Sequence, residues 1–483
     1  MTDRESDQNG PDTKGSAHQL MVPLRYADDH SQSHLSELLE LLQIPSIGTQ
    51  PQHDADTRAA ADWVADAMRK AGLENVRLIP TAGHPCVYGE WLHARANAPT
   101  VLIYGHYDVQ PPDPLELWQT PPFQPDVREN YVYARGSSDD KGQLYIHIKA
   151  VESYLKGAGR LPTNVKFIIE GEEESGSPNL EPLIRDNKKL LQADTVLISD
   201  TSIPTPDQPA IVYGLRGICS ALIDITGPDH DLHSGSYGGG VNNPINAICH
   251  IIAKLKDEDG HVLIPGFYDK VLELTPEERN LLTKTPLSEK NWLNETGAPS
   301  TWGEPNHTLP ERLGARPTLD VNGIIGGYTG LGTKTVLPST VHGKISMRLV
   351  PKQNPTEIGE MLRKYVLSIS PPSVKVRVTL RGGAPASIID LSIPPMRAAA
   401  AAYTEVFGKD PVYIREGGSI PVVSQFETHL GLQTVLMGFG LANDRAHSPN
   451  ERFYVPNFYQ GIKTIIHFLT KYAEVKDSSK SKS

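Results

Sequence analysis

The sequence predicts an α/β protein in which a domain with a mostly parallel sheet is interrupted by an inserted α+β domain of ferredoxin type. Near both ends of the 483-residue chain, continuous apolar segments alternate with amphipathic ones, as in a sheet that helices cover on both faces. In the middle, apolar and polar residues alternate one by one, which is typical of half-exposed strands. The first pattern returns after the second, so the middle domain is an insertion.

The elements of the larger domain are assigned from apolar periodicity. Its strands are short apolar runs, its helices carry an apolar stripe, and Gly72 is the expected stop of the first helix. The predicted strands are 100–106, 164–170, 193–200 and 432–440, and the predicted helices are 56–73, 141–155, 394–408 and the segment after Pro456.

The inserted domain has strand–helix–strand–strand order with a later helix and strand, which is the ferredoxin arrangement. Three of these four strands are located by their alternation, at 218–227, 342–351 and 374–382; the predicted helices are 243–257 and 356–369, and a stretch from about 256 to 317 is Pro-rich and irregular. We therefore place the larger domain at 20–215 and 387–475, the insert at 216–386, and disordered polar tails at 1–19 and 476–483.

Composition narrows the class of protein. The chain is 38% hydrophobic and 21% charged, as expected for a globular protein with a sizeable core. A formal net charge of −11 argues against nucleic acid or an anionic membrane as the main partner. The polar N-terminus lacks an apolar signal core, and the widely spaced Cys86, Cys219 and Cys249 favour a reducing compartment. We therefore expect a cytoplasmic protein.

Potential metal ligands follow the predicted apolar strands. They are His106 and Asp108, Glu173 and Glu174, Asp200, and His447, joined by the pair Asp139–Asp140 before a helix. Ligands of open α/β sheets bind beyond the carboxyl ends of the strands, so these side chains should converge. Two histidines with several carboxylates suit zinc, manganese or cobalt, and two such ions would neutralise the carboxylates and form a hydrolytic site. Each residue alone also has an ordinary explanation, such as capping a helix or facing solvent.

The neighbouring residues carry a family resemblance. In order, the chain contains "GHYDVQPP", "W-x-T-x-P-F", "ARGSSDDKG", "EGEEESGS", "ISD", "YGLRG", "DLHSGSYGG", "KTVLPSTVHGKISMRLVP", "REGGSIP" and "AHSPNE". Together these resemble the carnosinase-like metallodipeptidases, including the cytosolic nonspecific dipeptidase, within the larger group of two-metal aminoacylases, carboxypeptidases and dipeptidases. The resemblance runs from about residue 20 to 472 and implies that the insert is a lid and dimerisation domain.

The resemblance also implies a metal centre. His106 and Asp200 would hold one divalent ion, Glu174 and His447 the other, and Asp139 would bridge both, with a cis peptide bond between Asp139 and Asp140. Asp108 would support His106, and Glu173 would be the general base towards a water activated by the two metals. Glu172 receives no catalytic role; it would face solvent or add negative potential near the metals.

The resemblance further implies how a substrate is held. In a homodimer, His233 would reach the partner's active site and stabilise the oxyanion. Arg348 would pair with the substrate's terminal carboxylate, and Gly418 and Ser419 would add a backbone N–H and a hydroxyl. Thr335 would be a further substrate contact from the partner subunit.

The reaction expected from these residues is hydrolysis of short L-peptides, mainly dipeptides. Removal of an N-acyl or N-carbamoyl group from an amino acid would use the same metals and carboxylate contacts. A non-catalytic binding protein on a retired peptidase fold is the alternative from another class; it is disfavoured because every matching position is filled.

Overall fold

The structure is a computed structural model that describes the backbone of residues 13–480 and the side chains of residues 20–475. The outer parts of the two predicted tails, 1–12 and 481–483, lie outside the described residues. The inner parts, 13–19 and 476–480, belong to the first and last helices.

The chain alternates strands and helices along its described length. The strands are β1 (Glu74–Ile79), β2 (Cys86–Trp91), β3 (Thr100–His106), β4 (Asp126–Arg128), β5 (Tyr131–Tyr133), β6 (Asn164–Glu170), β7 (Thr195–Ile198), β8 (Ser202–Ile203), β9 (Ala210–Leu215), β10 (Gly217–Thr226), β11 (Leu232–His233), β12 (Thr318–Gly326), β13 (Val336–Leu337), β14 (Thr340–Leu349), β15 (Lys375–Ala384), β16 (Ser387–Ile388), β17 (Val412–Glu416), β18 (Thr434–Leu436), β19 (Gly440–Leu441) and β20 (Arg452–Tyr454). The α-helices are α1 (Thr13–Asp29), α2 (Ser31–Leu42), α3 (Asp54–Ala71), α4 (Lys141–Glu152), α5 (Leu180–Asp186), α6 (Lys188–Leu191), α7 (Ser234–Tyr237), α8 (Pro244–Ile252), α9 (Pro276–Leu282), α10 (Glu289–Thr296), α11 (Leu309–Gly314), α12 (Pro355–Ile369), α13 (Pro394–Phe407), α14 (Pro421–Leu430) and α15 (Val455–Lys480).

The described chain divides into two compact units. Unit 1 comprises 13–211, 390–412 and 425–480, and unit 2 comprises 212–389 and 413–424. Unit 2 takes in the predicted insert and adds the segment 413–424. That segment carries Gly418 and Ser419, which lie outside the predicted insert.

Unit 1 is built on a sheet whose strands run in the order β1-β2-β6-β3-β7-β18. The pairs β6–β3, β3–β7 and β7–β18 are parallel, and β1–β2 and β2–β6 are antiparallel. The inner strands are buried almost throughout because they are continuous apolar runs with helices in the same unit to cover them. The predicted mostly parallel α/β class is therefore confirmed.

Unit 2 contains an antiparallel sheet in the order β12-β14-β10-β15. The apolar face of this sheet packs on α8 and α12 through residues such as Ile223, Ile248 and Leu362. Chain order β10-α8-β12-β14-α12-β15 is that of a ferredoxin-like unit. The region predicted to be irregular, 256–317, contains three short helices, α9 to α11.

Within the described part of the chain, the helices are all too short or too polar to span a bilayer.

Candidate active site

The strand ends of unit 1 bring the predicted ligands to one edge of the sheet. His106 is the last residue of β3, is fully buried, and pairs in parallel register with Glu170 at the end of β6. Glu173 and Glu174 follow β6, and Asp200 comes two residues after β7 ends. Parallel strands in register end at the same edge, so residues distant in sequence meet there.

Two groups of ligand atoms lie at this edge and share Asp139. In the first group, Nε2 of His106 lies 3.1 Å from Oδ1 of Asp139 and 3.9 Å from Oδ2 of Asp200. In the second group, Nε2 of His447 lies 2.9 Å from Oδ2 of Asp139 and 3.2 Å from Oε2 of Glu174. Within each group the ligand atoms are all within 4.8 Å of one another. Asp139 thus presents a different oxygen to each group.

The donor set fits divalent cations. Nδ1 of His106 donates to the backbone oxygen of Asp108 at 3.1 Å, which leaves the lone pair of the ring on Nε2. That Nε2 is buried and makes no well-aligned hydrogen bond to any described residue, although it faces two carboxylates. An imidazole lone pair among carboxylate oxygens is the ligand chemistry of zinc, manganese and cobalt. The peptide bond between Asp139 and Asp140 is cis, as the resemblance implied.

Asp108 lies beneath the two glutamates and is also fully buried. Its Oδ1 accepts the backbone N–H of Glu173 at 3.2 Å and its Oδ2 accepts that of Glu174 at 3.1 Å. Glu173 begins a short 3-10 turn that ends at Gly176, whose φ of 88° lies in the left-handed region. The turn separates the directions of the two side chains, so that Glu174 reaches His447 while Glu173 remains outside both ligand groups.

The site shifts the pKa values of its acids in opposite directions. Burial raises the pKa of Glu173 to about 9; the charges of Asp200 and Glu174 add to the rise and that of His106 opposes it. Burial also acts to raise the pKa of Asp139, but the nearby imidazole rings of His106 and His447 outweigh it and hold that pKa below its ordinary range. Cations placed among these carboxylates would favour the ionised form of Glu173.

Glu172 does not face solvent, so that expectation is wrong. The residue is 8% exposed, and its carboxylate accepts from the side-chain amide of Asn179 at 3.0 and 2.9 Å. Its backbone oxygen accepts the N–H groups of Ser175 and Ser177. Glu172 therefore anchors the turn that carries its two neighbours.

Gln110 is a further contact of the site that the sequence pattern does not reveal. Its side-chain amide donates to Oε2 of Glu174 at 2.8 Å.

In unit 2 the structure brings His233 next to Thr335, although they are far apart in sequence. β11 pairs with β13, and the backbone N–H of Ser234 donates to the oxygen of Thr335 at 3.0 Å. Nδ1 of His233 accepts the N–H groups of Gly235 and Ser236 at 3.0 and 3.2 Å. The ring proton is therefore on Nε2, where it is exposed as a hydrogen-bond donor.

Arg348 and Ser419 also meet within unit 2. Nη1 of Arg348 donates to Oγ of Ser419 at 2.8 Å, and that hydroxyl donates to the backbone oxygen of Arg216 at 2.5 Å. Burial lowers the pKa of Arg216 to about 10, and the nearby charge of Arg348 adds to the shift. Two adjacent, half-buried guanidinium groups favour a bound anion. Arg216 lies in the quoted "YGLRG" motif but had been given no role.

These features define the class of protein: an α/β metallohydrolase, interrupted by a ferredoxin-like unit, with two groups of residues whose atoms suit metal ligation. Residues 102–471 match Peptidase family M20/M25/M40, and the chain belongs to this family. The expected family membership is confirmed.

Named relatives match over nearly the full length of both chains. The chain is 33% identical over 466 residues to the Cys-Gly metallodipeptidase dug1 of Schizosaccharomyces pombe, covering 93% of this chain and 97% of the relative. It is 34% identical over 470 residues to the human Beta-Ala-His dipeptidase, covering 93% and 92%. The crystal structure of human carnosine dipeptidase 1 superimposes with a TM-score of 0.83 at 31% identity, covering 94% of this chain and 99% of that chain.

Proposed function

We propose that the protein, a metal-dependent dipeptidase, hydrolyses the peptide bond of short L-peptides with free termini at a centre of two divalent ions. The observation that carries the proposal is the pair of ligand groups that share Asp139 through its two carboxylate oxygens. The names of the relatives, which are metallodipeptidases and Beta-Ala-His dipeptidases, support the dipeptide as the substrate class.

Each ligand would have one place in the centre. His106 and Asp200 would hold one ion, Glu174 and His447 the other, and Asp139 would bridge them. Two divalent ions there would lower the pKa of water and polarise the scissile carbonyl. Zinc, manganese and cobalt all suit this imidazole and carboxylate set.

Glu173 would act as the general base and then as the proton donor to the leaving amine. Its support is geometric: it lies next to Glu174 but takes no part in either ligand group, and Asp108 fixes its backbone. Asp108 has the positioning role, because one carboxylate contacts both the turn of the two glutamates and Nδ1 of His106, which lies 3.4 Å from its Oδ1. Burial and the negative charges of Asp200 and Glu174 raise the pKa of Glu173, which favours the uptake of a proton by its carboxylate.

Unit 2 would bind the ends of the substrate. The Nε2–H of His233 suits the oxyanion of a tetrahedral intermediate, and Thr335 is its neighbour in the same ribbon. Arg348 would pair with the terminal carboxylate, helped by the backbone of Gly418 and by Ser419. In this structure the hydroxyl of Ser419 donates to the backbone oxygen of Arg216 and accepts from Arg348, so it would orient Arg348. To donate to the substrate carboxylate, the hydroxyl would exchange Arg216 for the substrate.

A homodimer in which His233 enters the partner's active site is part of the proposal. β12 is an edge strand of the unit 2 sheet, and Ile324 and Ile325 on it are 46% and 55% exposed. Exposed apolar residues on an unpaired strand edge are typical of an interface. Sedimentation analysis of the purified protein should give a dimer, and charged substitutions at both isoleucines should give monomers.

We further propose that the protein is cytoplasmic.

The experiment that tests the reaction is a substrate panel with defined metals. The apoprotein is loaded with zinc, manganese or cobalt and given free dipeptides, N-acetyl dipeptides, N-acetyl amino acids and N-carbamoyl amino acids. Free dipeptides should be the best substrates. Preference for blocked amino acids would favour the amidohydrolase alternative, and absence of both metal binding and turnover would favour a non-catalytic binding protein.

A further inference from the structure

One buried carboxylate near the metal ligands is not used by the proposed reaction. Glu451 is fully buried and comes four residues after His447 in the loop that leads to β20. Its Oε2 accepts from Nη1 of Arg135 at 2.7 Å and from the N–H of Gly136 at 2.9 Å. Its Oε1 accepts the N–H groups of Ser138 and Asp139 at 2.9 and 3.1 Å.

The four donors all come from one segment, 135–139, which ends in the shared ligand Asp139. A carboxylate offers about four lone-pair positions, and here each oxygen takes two donors, so the acceptor is saturated. Arg135 is itself 1% exposed and also donates to the backbone oxygen of Pro111 at 3.2 Å. The position of the Asp139 backbone is therefore fixed through a single side chain.

The same side chain belongs to the loop of His447. The adjoining strand β20 pairs with β5, and the N–H of Ala134 donates to the backbone oxygen of Glu451 at 3.1 Å. At the other end of the loop, Oδ2 of the buried Asp444 accepts from the hydroxyl of Ser138 at 3.2 Å. A carboxylate at each end thus joins the loop of His447 to the segment that carries Asp139.

We propose that Glu451 is a positioning residue of the metal centre, which holds the backbone of Asp139 in register with His447. The inference rests on the proposed ligand set. Its physical basis is that the side chain of His447 is 54% exposed, so that packing constrains it only in part. The distance between the two ligands then depends on the backbones of their loops, which Glu451 ties together.

The test compares Glu451→Gln with a matched control, Glu152→Gln. Glutamine keeps the size of the side chain but, in either orientation of its amide, directs an N–H at two of the four donors. Glu152 is also a buried carboxylate, bonded by Nζ of Lys149 at 2.6 Å, and it lies outside both ligand groups. Removing a hydrogen-bonded partner of a ligand typically weakens metal binding about 10–100-fold.

The proteins are stripped with a chelator and titrated with Zn²⁺ against a chromophoric competitor, and the visible spectrum of the Co²⁺ forms is recorded. We expect two ions per wild-type chain, at least about tenfold weaker binding and a changed Co²⁺ spectrum for Glu451→Gln, and wild-type behaviour for Glu152→Gln. If Glu451→Gln does not fold, Glu451→Asp replaces it; the shorter side chain keeps the charge but cannot reach all four donors of segment 135–139, so it should also weaken binding.

Wild-type affinity and an unchanged spectrum in Glu451→Gln, or in Glu451→Asp when that variant takes its place, would overturn the inference, even if the variant unfolds at a lower temperature. That result would leave the proposed function intact, because the wild-type chain would still hold two ions. A wild-type chain that fails to bind two ions would instead overturn the proposed function, and the positioning role would fall with it.

Discussion

The carboxylate of Asp108 accepts the backbone N–H of Glu173 through Oδ1 at 3.2 Å, while its Oδ2 accepts the next N–H in the chain. One buried side chain therefore fixes the orientation of two consecutive glutamates. The two adjacent carboxylates can therefore have different roles, because the turn directs Glu174 into a ligand group and leaves Glu173 outside it.

Replacing Glu173 with glutamine should abolish turnover while both metal ions remain bound. The side chain keeps its size but can no longer accept a proton, and loss of a general base typically costs about 10²–10⁴ in rate. Steady-state kinetics and metal analysis of the same sample check this. Glu172→Gln is the matched control, since the buried Glu172 bonds Asn179 rather than a ligand, and it should keep most of its activity. Wild-type turnover in Glu173→Gln would exclude its role as base.

The histidine of unit 2 should affect the rate and not the metals. His233→Ala removes the Nε2–H that would stabilise the oxyanion, and one such donor is typically worth about 10²–10³ in kcat. His230→Ala is a suitable control because His230 lies on the same loop, is largely exposed and pairs with its neighbour Asp229. We expect His230→Ala to match the wild type in kcat. A His233→Ala variant with wild-type kcat would contradict the assignment.

Mixtures of the two inactive variants would separate a contribution across the dimer from one within a chain. If His233 serves the partner's site, a heterodimer of His233→Ala with Glu173→Gln contains one site with both functional residues. Activity should then reappear on mixing and exchange. Continued inactivity of verified heterodimers would place His233 in the site of its own chain.

The carboxylate contact predicts a loss of substrate affinity. Arg348→Met should raise KM for free dipeptides by about 10–100-fold, because a hydrogen bond to a charged group contributes about 1.5–3 kcal/mol. Dipeptide amides lack the terminal carboxylate, so the wild type and the variant should cleave them with similar kcat/KM. Arg377→Met is the control, since Arg377 lies on the same sheet and is paired with Asp224 at an exposed position. Equal loss on both substrates would argue against this contact.

The fold could be predicted where local pattern and burial agree. The bounds of β3 and β6 match the predicted strands because these strands are central in the sheet, and only unbroken apolar runs suit that position. β12 was missed because Asp320 and Gly323 interrupt its alternation and its pairing shifts between Val321 and Gly323. A bulged edge strand has a weak sequence pattern by its nature.

The site could be predicted only as far as ligand chemistry is visible in a strand end. His106 and Glu174 follow apolar runs, and their residue types indicate a metal. Glu451 and Glu172 are distinguished from ordinary surface glutamates by partners that the fold supplies: Arg135 lies more than 300 residues from Glu451 in sequence. Such pairs are decided by tertiary packing, so residue type and spacing alone do not reveal them.

Lys141 provides a pH-dependent prediction for the metal-free protein. It is fully buried at the start of α4, where Nζ donates to the backbone oxygens of Leu41 and Ile44 at 3.2 and 2.7 Å. Burial lowers the pKa of Lys141 from 10.5 to about 7. Between these two values the unfolded chain binds a proton that the folded chain does not, so the free energy of unfolding rises with pH by up to about 1.4 kcal/mol per pH unit.

The contribution of Lys141 to the free energy of unfolding is therefore most favourable above pH 10.5, and it decreases as the pH falls to about 7. Lys141→Met has no proton to lose there, so its stability relative to the wild type should decline steadily between pH 7 and 10. Urea midpoints of the chelator-treated proteins, measured at matched pH values, check this. Lys463→Met removes a lysine that pairs with Asp28 at the surface, and it should follow the wild-type pH dependence. A difference between wild type and Lys141→Met that does not change with pH would show that Lys141 keeps its proton on folding.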